Sequence, residues 1–397
     1  MIHDVEKYLF SLETKGIKLG LSRTKELLKE CGSPHKNIPI IQVLGTNGKG
    51  STSAILYKLL NLEHNVGLYT SPHLYSFRER IRYSGISISI DEVREYLTKY
   101  QTIIENTNAS FFEVMTVMAI WHFNKKNVDY AIMETGLGGQ FDSVTACDAV
   151  LFAITSISMD HSHVLGDTLE LITKEKIAAI NPFSKVYSVM QNANLNTLIK
   201  EYCKSNKNNL FFVPTNNELE LSLKGEHQQE NASLAIEIAN NFLTNHDSES
   251  IHQCLTSVNW HGRNQFLCKQ PDIVFDVAHN EEGLKSFLEF LKADLGEKYS
   301  KKTLLFSIQK NKNIQNITKE LENKFDKIIY STTNPKYSMD FQCVKKYFSS
   351  AEYVESPTDA LEVTINNAKK DELIAIVGTH YWGGAIKSFF NICFDNI

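Results

Sequence analysis

The 397-residue sequence predicts an α/β protein, with a large N-terminal P-loop domain on a mostly parallel sheet and a smaller Rossmann-like α/β domain C-terminal to it. Three observations predict this. Short apolar runs are followed by longer stretches of helical periodicity, the pattern of strands and crossover helices in parallel sheets. The length exceeds the roughly 250–300 residues at which single cores stop growing. A glycine-rich octapeptide, Gly45-Thr46-Asn47-Gly48-Lys49-Gly50-Ser51-Thr52, joins an apolar run to a helical one.

In chain order, residues 38–44, 66–69, 128–133, 149–154 and 185–189 read as strands, followed by 273–275, 303–306, 327–330 and 373–377. Residues 218–223 alternate polar and apolar side chains and read as a half-exposed strand. Helical patterns cover 51–61, 111–124, 169–180, 227–242 and 281–295. The helical pattern around Ile251–Leu255 stops near Ser257–Arg263, and new strand-helix units begin at Ile273. The domains are therefore expected at 1–258 and 259–397, with active-site residues drawn from both.

Hydrophobic residues make up 42% and charged residues 22%, the balance of a soluble globular protein. A net charge of -5 gives no basic field for nucleic acid, so an anionic substrate would need local cations. Seven cysteines, none in a CxxC pair, suit free thiols in a reducing compartment. The charged start (MIHDVEKYLF) does not read as a signal peptide, and no apolar run is long enough to span a membrane. A cytoplasmic protein is expected, with no nucleic-acid or membrane partner.

The octapeptide follows a buried-type strand and opens a helix, as a phosphate-binding loop requires. Glycines let backbone N–H groups approach phosphate oxygens without an intervening Cβ. The helix N-terminus adds partial positive charge, Lys49 can neutralise β/γ phosphates, and a hydroxyl can hold Mg²⁺. The GxxxxGK[ST] spacing is not met, because Val43 holds the first glycine's place and Gly50 separates Lys49 from Ser51. Without its flanks, the loop would also suit a turn that binds nothing or another anion. GTNGKGST closely resembles the phosphate loop of the folylpolyglutamate synthase branch of the Mur ligase family. The upstream Gly16-Ile17-Lys18-Leu19-Gly20-Leu21 is similar to that branch's lead-in, and the resemblance continues through most of the chain.

Thr70-Ser71-Pro72-His73-Leu74, followed by Phe77-Arg78-Glu79-Arg80-Ile81, could be a surface turn and a charged helix. It resembles the family's SPHL…F.ERI segment, which implies Ser71 near a metal and Arg80 at the folate site. Glu134-Thr135-Gly136-Leu137-Gly138-Gly139 ends an apolar strand, where a carboxylate is either solvated or placed to ligate Mg²⁺. It resembles E-V-G-L-G-G-R-L-D-A-T-N, with Gln140 for the arginine and Ser143-Val144-Thr145 for Ala-Thr-Asn. The resemblance makes Glu134 a metal ligand and gives Asp142 a pterin contact. His161, in Ser158-Met159-Asp160-His161, reads as a structural histidine or a metal ligand, and the resemblance implies the second Mg²⁺. Lys176 reads as part of a solvated helix face. Its match to I-x-x-E-K-A-G-I, with Ile177-Ala178-Ala179 in place of Ala-Gly-Ile, implies a carbamylated lysine acting as an oxygen ligand.

Toward the second domain, Gly225–Ala232 resembles G-x-H-Q-x-x-N-A, placing Gln228 and Asn231 near adenine; an amide at a helix start can also be a cap. Trp260-His261-Gly262-Arg263 resembles W-P-G-R, whose arginine reaches ATP phosphates. Asp276-Val277-Ala278-His279-Asn280 resembles D-G-A-H-N-P, implying nucleotide contacts for Asp276 and His279. Agreement weakens at Gln309-Lys310-Asn311-Lys312, where an aspartate-lysine-aspartate run is usual, and at Gly378-Thr379-His380-Tyr381, where Gly-Ser-Leu-Tyr is usual.

Taken together, the resemblance implies an ATP-dependent ligase joining L-glutamate to dihydropteroate, to folate glutamates, or to both, through an acyl phosphate. ATP would bind residues 45–52 with two Mg²⁺ ions held by Ser51, Ser71, Glu134, His161 and Lys176. Lys49, Glu134, His161 and Lys176 would be the catalytic group, and Arg80, Phe112, Glu113 and Asp142 the pterin pocket. A monomer is implied. A peptidoglycan UDP-muramoyl amino-acid ligase of the same superfamily shares the ATP chemistry. A P-loop motor or switch, or a non-catalytic binding module, would use the loop alone.

Overall fold

Two sheets form the protein in the computed structural model, which describes residues 4–13, 20–296 and 298–397. Residues 16–19 of the lead-in lie outside the described residues. The first sheet comprises β1 (Ile40–Leu44), β2 (Val66–Tyr69), β3 (Ile81–Tyr83), β4 (Ile86–Ser87), β5 (Tyr130–Glu134), β6 (Leu151–Ile154), β7 (Lys185–Val189) and β8 (Asn209–Val213). Their order is β4-β3-β2-β5-β1-β6-β7-β8, parallel except where β3 pairs with β2 and β4. The second sheet comprises β9 (Gln265–Cys268), β10 (Asp272–Phe275), β11 (Lys302–Phe306), β12 (Lys327–Tyr330), β13 (Glu352–Tyr353) and β14 (Leu373–Val377). Its order is β13-β12-β11-β14-β10-β9, parallel except at β9. The mixed but mostly parallel, two-domain α/β architecture is the one predicted.

Alternation explains why the central strands are apolar throughout. Along β1, Ile40 and Leu44 enter one core while Ile41 and Val43 enter the core on the opposite face. In β14, Leu373, Ala375 and Val377 face one way, and Ile374 and Ile376 the other. Covered on both faces, such strands lose the polar alternation of a half-exposed strand.

The alternating segment 218–223 is not a strand. Leu219, Leu221 and Leu223 pack on the core beneath the phosphate-loop helix. Ser222 spends its hydrogen bonds on the end of the helix Ser248–Ser257: its N–H donates to Leu255 O (3.1 Å) and its hydroxyl to Val258 O (2.7 Å). Alternation reported burial, and no neighbouring strand supplied a ladder.

The topology gathers chemistry at one edge. In the neighbouring strands β2-β5-β1-β6, the carboxyl ends carry residues 70–73, Glu134, the octapeptide and residues 155–161. Open parallel sheets place ligands at this edge. The matching ends of β10, β11 and β14 carry residues 276–280, 307–312 and 378–380.

Candidate active site

The octapeptide closes over β1 and opens the helix Lys49–Leu60, whose apolar residues are buried nearly all round. Gly45 and Gly48 have φ of 140° and 86°. A Cβ at Gly45 would collide with Thr155, and one at Gly48 with the Asn231 carboxamide, so both positions need glycine. Thr46 N–H donates to Ser156 O (2.8 Å), and Lys49 Nζ donates to Thr46 O (2.9 Å). Behind the loop, Thr52 Oγ1 donates to Asn231 Oδ1 (3.3 Å), and Asn231 Nδ2 donates to Gln228 Oε1 (3.0 Å). Gln228 and Asn231 thus brace the loop through side-chain bonds, beyond any capping role.

A cleft of about 710 Å³ runs from this loop to the second domain. Residues 45–51 line it, together with Ser71, Glu134, His161, Lys176, Gln228, Asn231, Arg263, Asp276 and His279. Every predicted metal and nucleotide residue except Thr52 is therefore on one surface. Arg80, Phe112, Glu113 and Asp142 are not.

Glu134 is 4% exposed, accepts from Ser71 N–H (2.9 Å), and is held above the usual carboxylate range by burial, against the pull of Lys49. Ser51 Oγ is buried without a hydrogen-bond partner. An orphaned hydroxyl and a buried carboxylate lining one cleft suit a hard cation that takes oxygen ligands. Lys176, predicted from its pattern to lie on a solvated face, is 4% exposed. Its Nζ donates to Gly45 O (2.8 Å), and burial, reinforced by Lys49, lowers its pKa to about 7. His161 caps the short helix Ser162–Leu165 at φ 50°, and burial, reinforced by Lys312, lowers it to about 3, leaving a neutral ring. Among the described residues, no three His, Cys, Asp or Glu side chains form a metal-binding group by themselves; the predicted ligand set depends on serine and lysine.

The pocket residues have other partners. Glu113 accepts from Ser110 N–H (2.7 Å) and Oγ (2.8 Å) as a helix capping box, and from Arg23 Nε (2.8 Å). Asp142 accepts from the N–H groups of Gly136 (3.0 Å), Leu137 (2.9 Å) and Val144 (2.9 Å), which shapes the glycine loop. The Phe112 ring lies where a Cβ on Gly136 would be, and Arg80 Nε donates to His73 Nδ1 (2.9 Å). Phe112 and Asp142 thus pack on the loop after Glu134, whereas Glu113 and Arg80 are engaged with a helix cap and with His73.

Sequence reading does not single out Asp160, Asn280 or Lys312, yet they join the domains. Lys312 Nζ bonds Asp160 Oδ1 (2.6 Å) and sits 3.3 Å from His161 Nε2. Asn280 Nδ2 donates to Asn47 Oδ1 (3.0 Å) and Asp160 Oδ2 (3.2 Å), with His279 Nε2 3.7 Å from Asp160. Burial would raise Asp160, but His279, Lys312 and His161 outweigh it and hold the carboxyl far below the usual range. The available signal was Lys312, lying in the segment that departs from the usual aspartate-lysine-aspartate run.

A phosphate loop in one α/β domain, faced by a cation-bearing edge of a second, is the arrangement of a two-domain ATP-dependent ligase. Residues 43–218 match the Mur ligase middle domain, and residues 262–380 match the Mur ligase glutamate ligase domain. The dihydrofolate synthase/folylpolyglutamate synthase of Bacillus subtilis (strain 168) is 30% identical over 410 residues, spanning 92% of this chain and 94% of that protein. The chain belongs to the dihydrofolate synthase/folylpolyglutamate synthase family of Mur ligases. Two solved structures share the fold. Mycobacterium tuberculosis folylpolyglutamate synthase complexed with ADP has a TM-score of 0.88 at 24% identity, covering 98% of this chain and 100% of that one. The bifunctional folylpolyglutamate synthase/dihydrofolate synthase of Yersinia pestis, complexed with AMPPNP and Mn ion, has a TM-score of 0.85 at 22% identity, covering 98% of each chain.

Proposed function

We propose that this chain ligates L-glutamate both to dihydropteroate and to folate glutamates, using ATP and a divalent metal in the cleft between the domains. The observation that carries this reading is the buried Lys176 amine on Gly45 O, in one cleft with the phosphate loop and Glu134. The nucleotide and Mn ion of the Yersinia pestis structure and the Bacillus subtilis relative's bifunctional name support it. We place the boundary after residue 258 and take the protein to act as a cytoplasmic monomer. No helix among the described residues is long and apolar enough to cross a membrane.

A carboxylate cannot acylate an amine directly, because oxide would have to leave. In the first step a carboxylate oxygen of the pterin substrate attacks the γ-phosphorus of ATP, and ADP departs. The α-amine of glutamate then attacks the acyl carbon, loses a proton, and expels inorganic phosphate as the amide forms. The phosphate-loop N–H groups and Lys49 hold the β/γ phosphates in line and offset the charge that spreads over them. Gln228 and Asn231 keep the loop at fixed height, and Arg263, Asp276 and His279 close the nucleotide from the second domain and exclude water. Ser51, Ser71, Glu134, His161 and a carbamylated Lys176 would hold two Mg²⁺ ions, whose chemistry is charge neutralisation on the phosphates. Lowered to about 7, the Lys176 amine is neutral in a large share of molecules at neutral pH, the form that adds CO₂.

The test is release of ADP by the purified protein supplied with ATP, Mg²⁺, L-glutamate and either dihydropteroate or tetrahydrofolate. Both acceptors are expected to support release. Release with neither refutes the reading, and release with one assigns a single activity.

A further inference from the structure

The chain crosses between the domains twice, once through the linker at 258–264 and again through the segment 393–397, which returns to the first sheet. Arg82, on β3 and only 4% exposed, receives that segment. Its Nη2 donates to Phe394 O (2.9 Å), and its Nε faces Asp395 O (3.4 Å). Arg78 Nη2 lies 3.6 Å from the Asp395 carboxylate, and the Phe394 ring, 3% exposed, meets His261 edge-on at 5.0 Å. The other side of Arg82 faces the linker, with its guanidinium 5.2 Å from the centre of the Trp260 ring. Trp260 in turn lies on the phosphate loop. A Cβ on Gly50 would come within 3.0 Å of Trp260 Nε1 and 3.5 Å of Arg263 Nη2. That approach is tighter than most Cβ contacts, so the linker indole and the phosphate loop are packed directly on one another at Gly50.

We propose that Arg82 and the segment 393–397 form a tether that holds the linker Trp260–Arg263 against the phosphate loop, making Arg82 a positioning residue for the nucleotide site. The inference rests on the nucleotide role given above to Arg263. A guanidinium fork suits this position: two donors reach backbone carbonyls of the tail while the planar face carries the indole. Backbone acceptors tie the tail to Arg82 whatever its side chains are.

The experiment compares Arg82→Ala, Arg82→Lys, deletion of residues 394–397, and Arg263→Ala in the otherwise full chain. Hydrogen exchange is followed at amides 258–264 and in the helix Lys49–Leu60, and ADP affinity is measured with Mg²⁺. Arg82→Ala and the deletion are expected to speed linker exchange and weaken ADP binding about tenfold, the size of a lost charge-assisted contact. Arg82→Lys should recover part of both, and the helix should exchange as in the parent, which reports an intact first domain. Linker exchange equal to the parent's in both Arg82→Ala and the deletion overturns the tether. Arg263→Ala tests the underlying reading separately. If it leaves ADP affinity unchanged while Arg82→Ala still loosens the linker, the tether stands and the arginine's nucleotide role falls.

Discussion

At Asp142, three backbone N–H groups converge on one carboxylate that burial nonetheless pushes up to about 6. Desolvation outweighs hydrogen bonds that would favour the ion. The sign follows from proton counting. Between about pH 4 and 6 the folded protein keeps a proton that the unfolded chain has released, so this group lowers stability as pH rises through that window. Asp142→Asn removes the titration. Denaturant melts at pH 4 and pH 7 should show the stability of the parent, relative to the variant, falling by about 2 kcal/mol on going up. A difference that stays constant with pH would remove Asp142 from the account. The residue's family match was legible in the sequence. Its partners were not, because they belong to a loop whose path the tertiary fold sets.

At the scale of elements, the phosphate loop is the clearest case of a local rule that also serves packing. Gly48 stands at φ 86° with the Asn231 carboxamide in the place of its Cβ. Gly48→Ala is expected to cost about 1–3 kcal/mol from left-handed strain alone, shifting thermal denaturation downward. ADP binding should weaken as well, because the Asn231 carboxamide would have to swing away and give up its bonds to Thr52 and Gln228; unchanged melting and binding would contradict this geometry. The long central strands were legible because each is an apolar run buried on both faces. Strands β3, β4, β8, β9 and β13 were not: the shortest hold two or three residues, and all depend on a neighbour for pairing. Residues 218–223 misled for the converse reason, with alternation but no pairing partner.

For the whole molecule, the Asp160–Lys312 pair spans 152 positions with both side chains largely buried, at 9% and 4% exposure. Asp160→Ala would leave the Lys312 ammonium buried without its counter-ion, a loss of about 3–5 kcal/mol for such pairs. The penalty falls on the contact between the domains. Small-angle scattering of the variant should therefore show a larger radius of gyration, with circular dichroism unchanged. An unaltered radius would show that the linker and other contacts hold the domains together without this pair.

By itself, the sequence determined what depends on neighbours along the chain: the strand-helix rhythm, the glycine loop between a strand and a helix, and family membership through motifs such as GTNGKGST. Only the tertiary structure decided that Lys176 is buried on Gly45 O, that Glu113 is spent on a helix cap and Arg23, and that Asp160 meets Lys312. Backbone conformation and periodicity are short-range properties written locally, whereas burial, ionisation and side-chain partnership depend on residues that only the fold brings together.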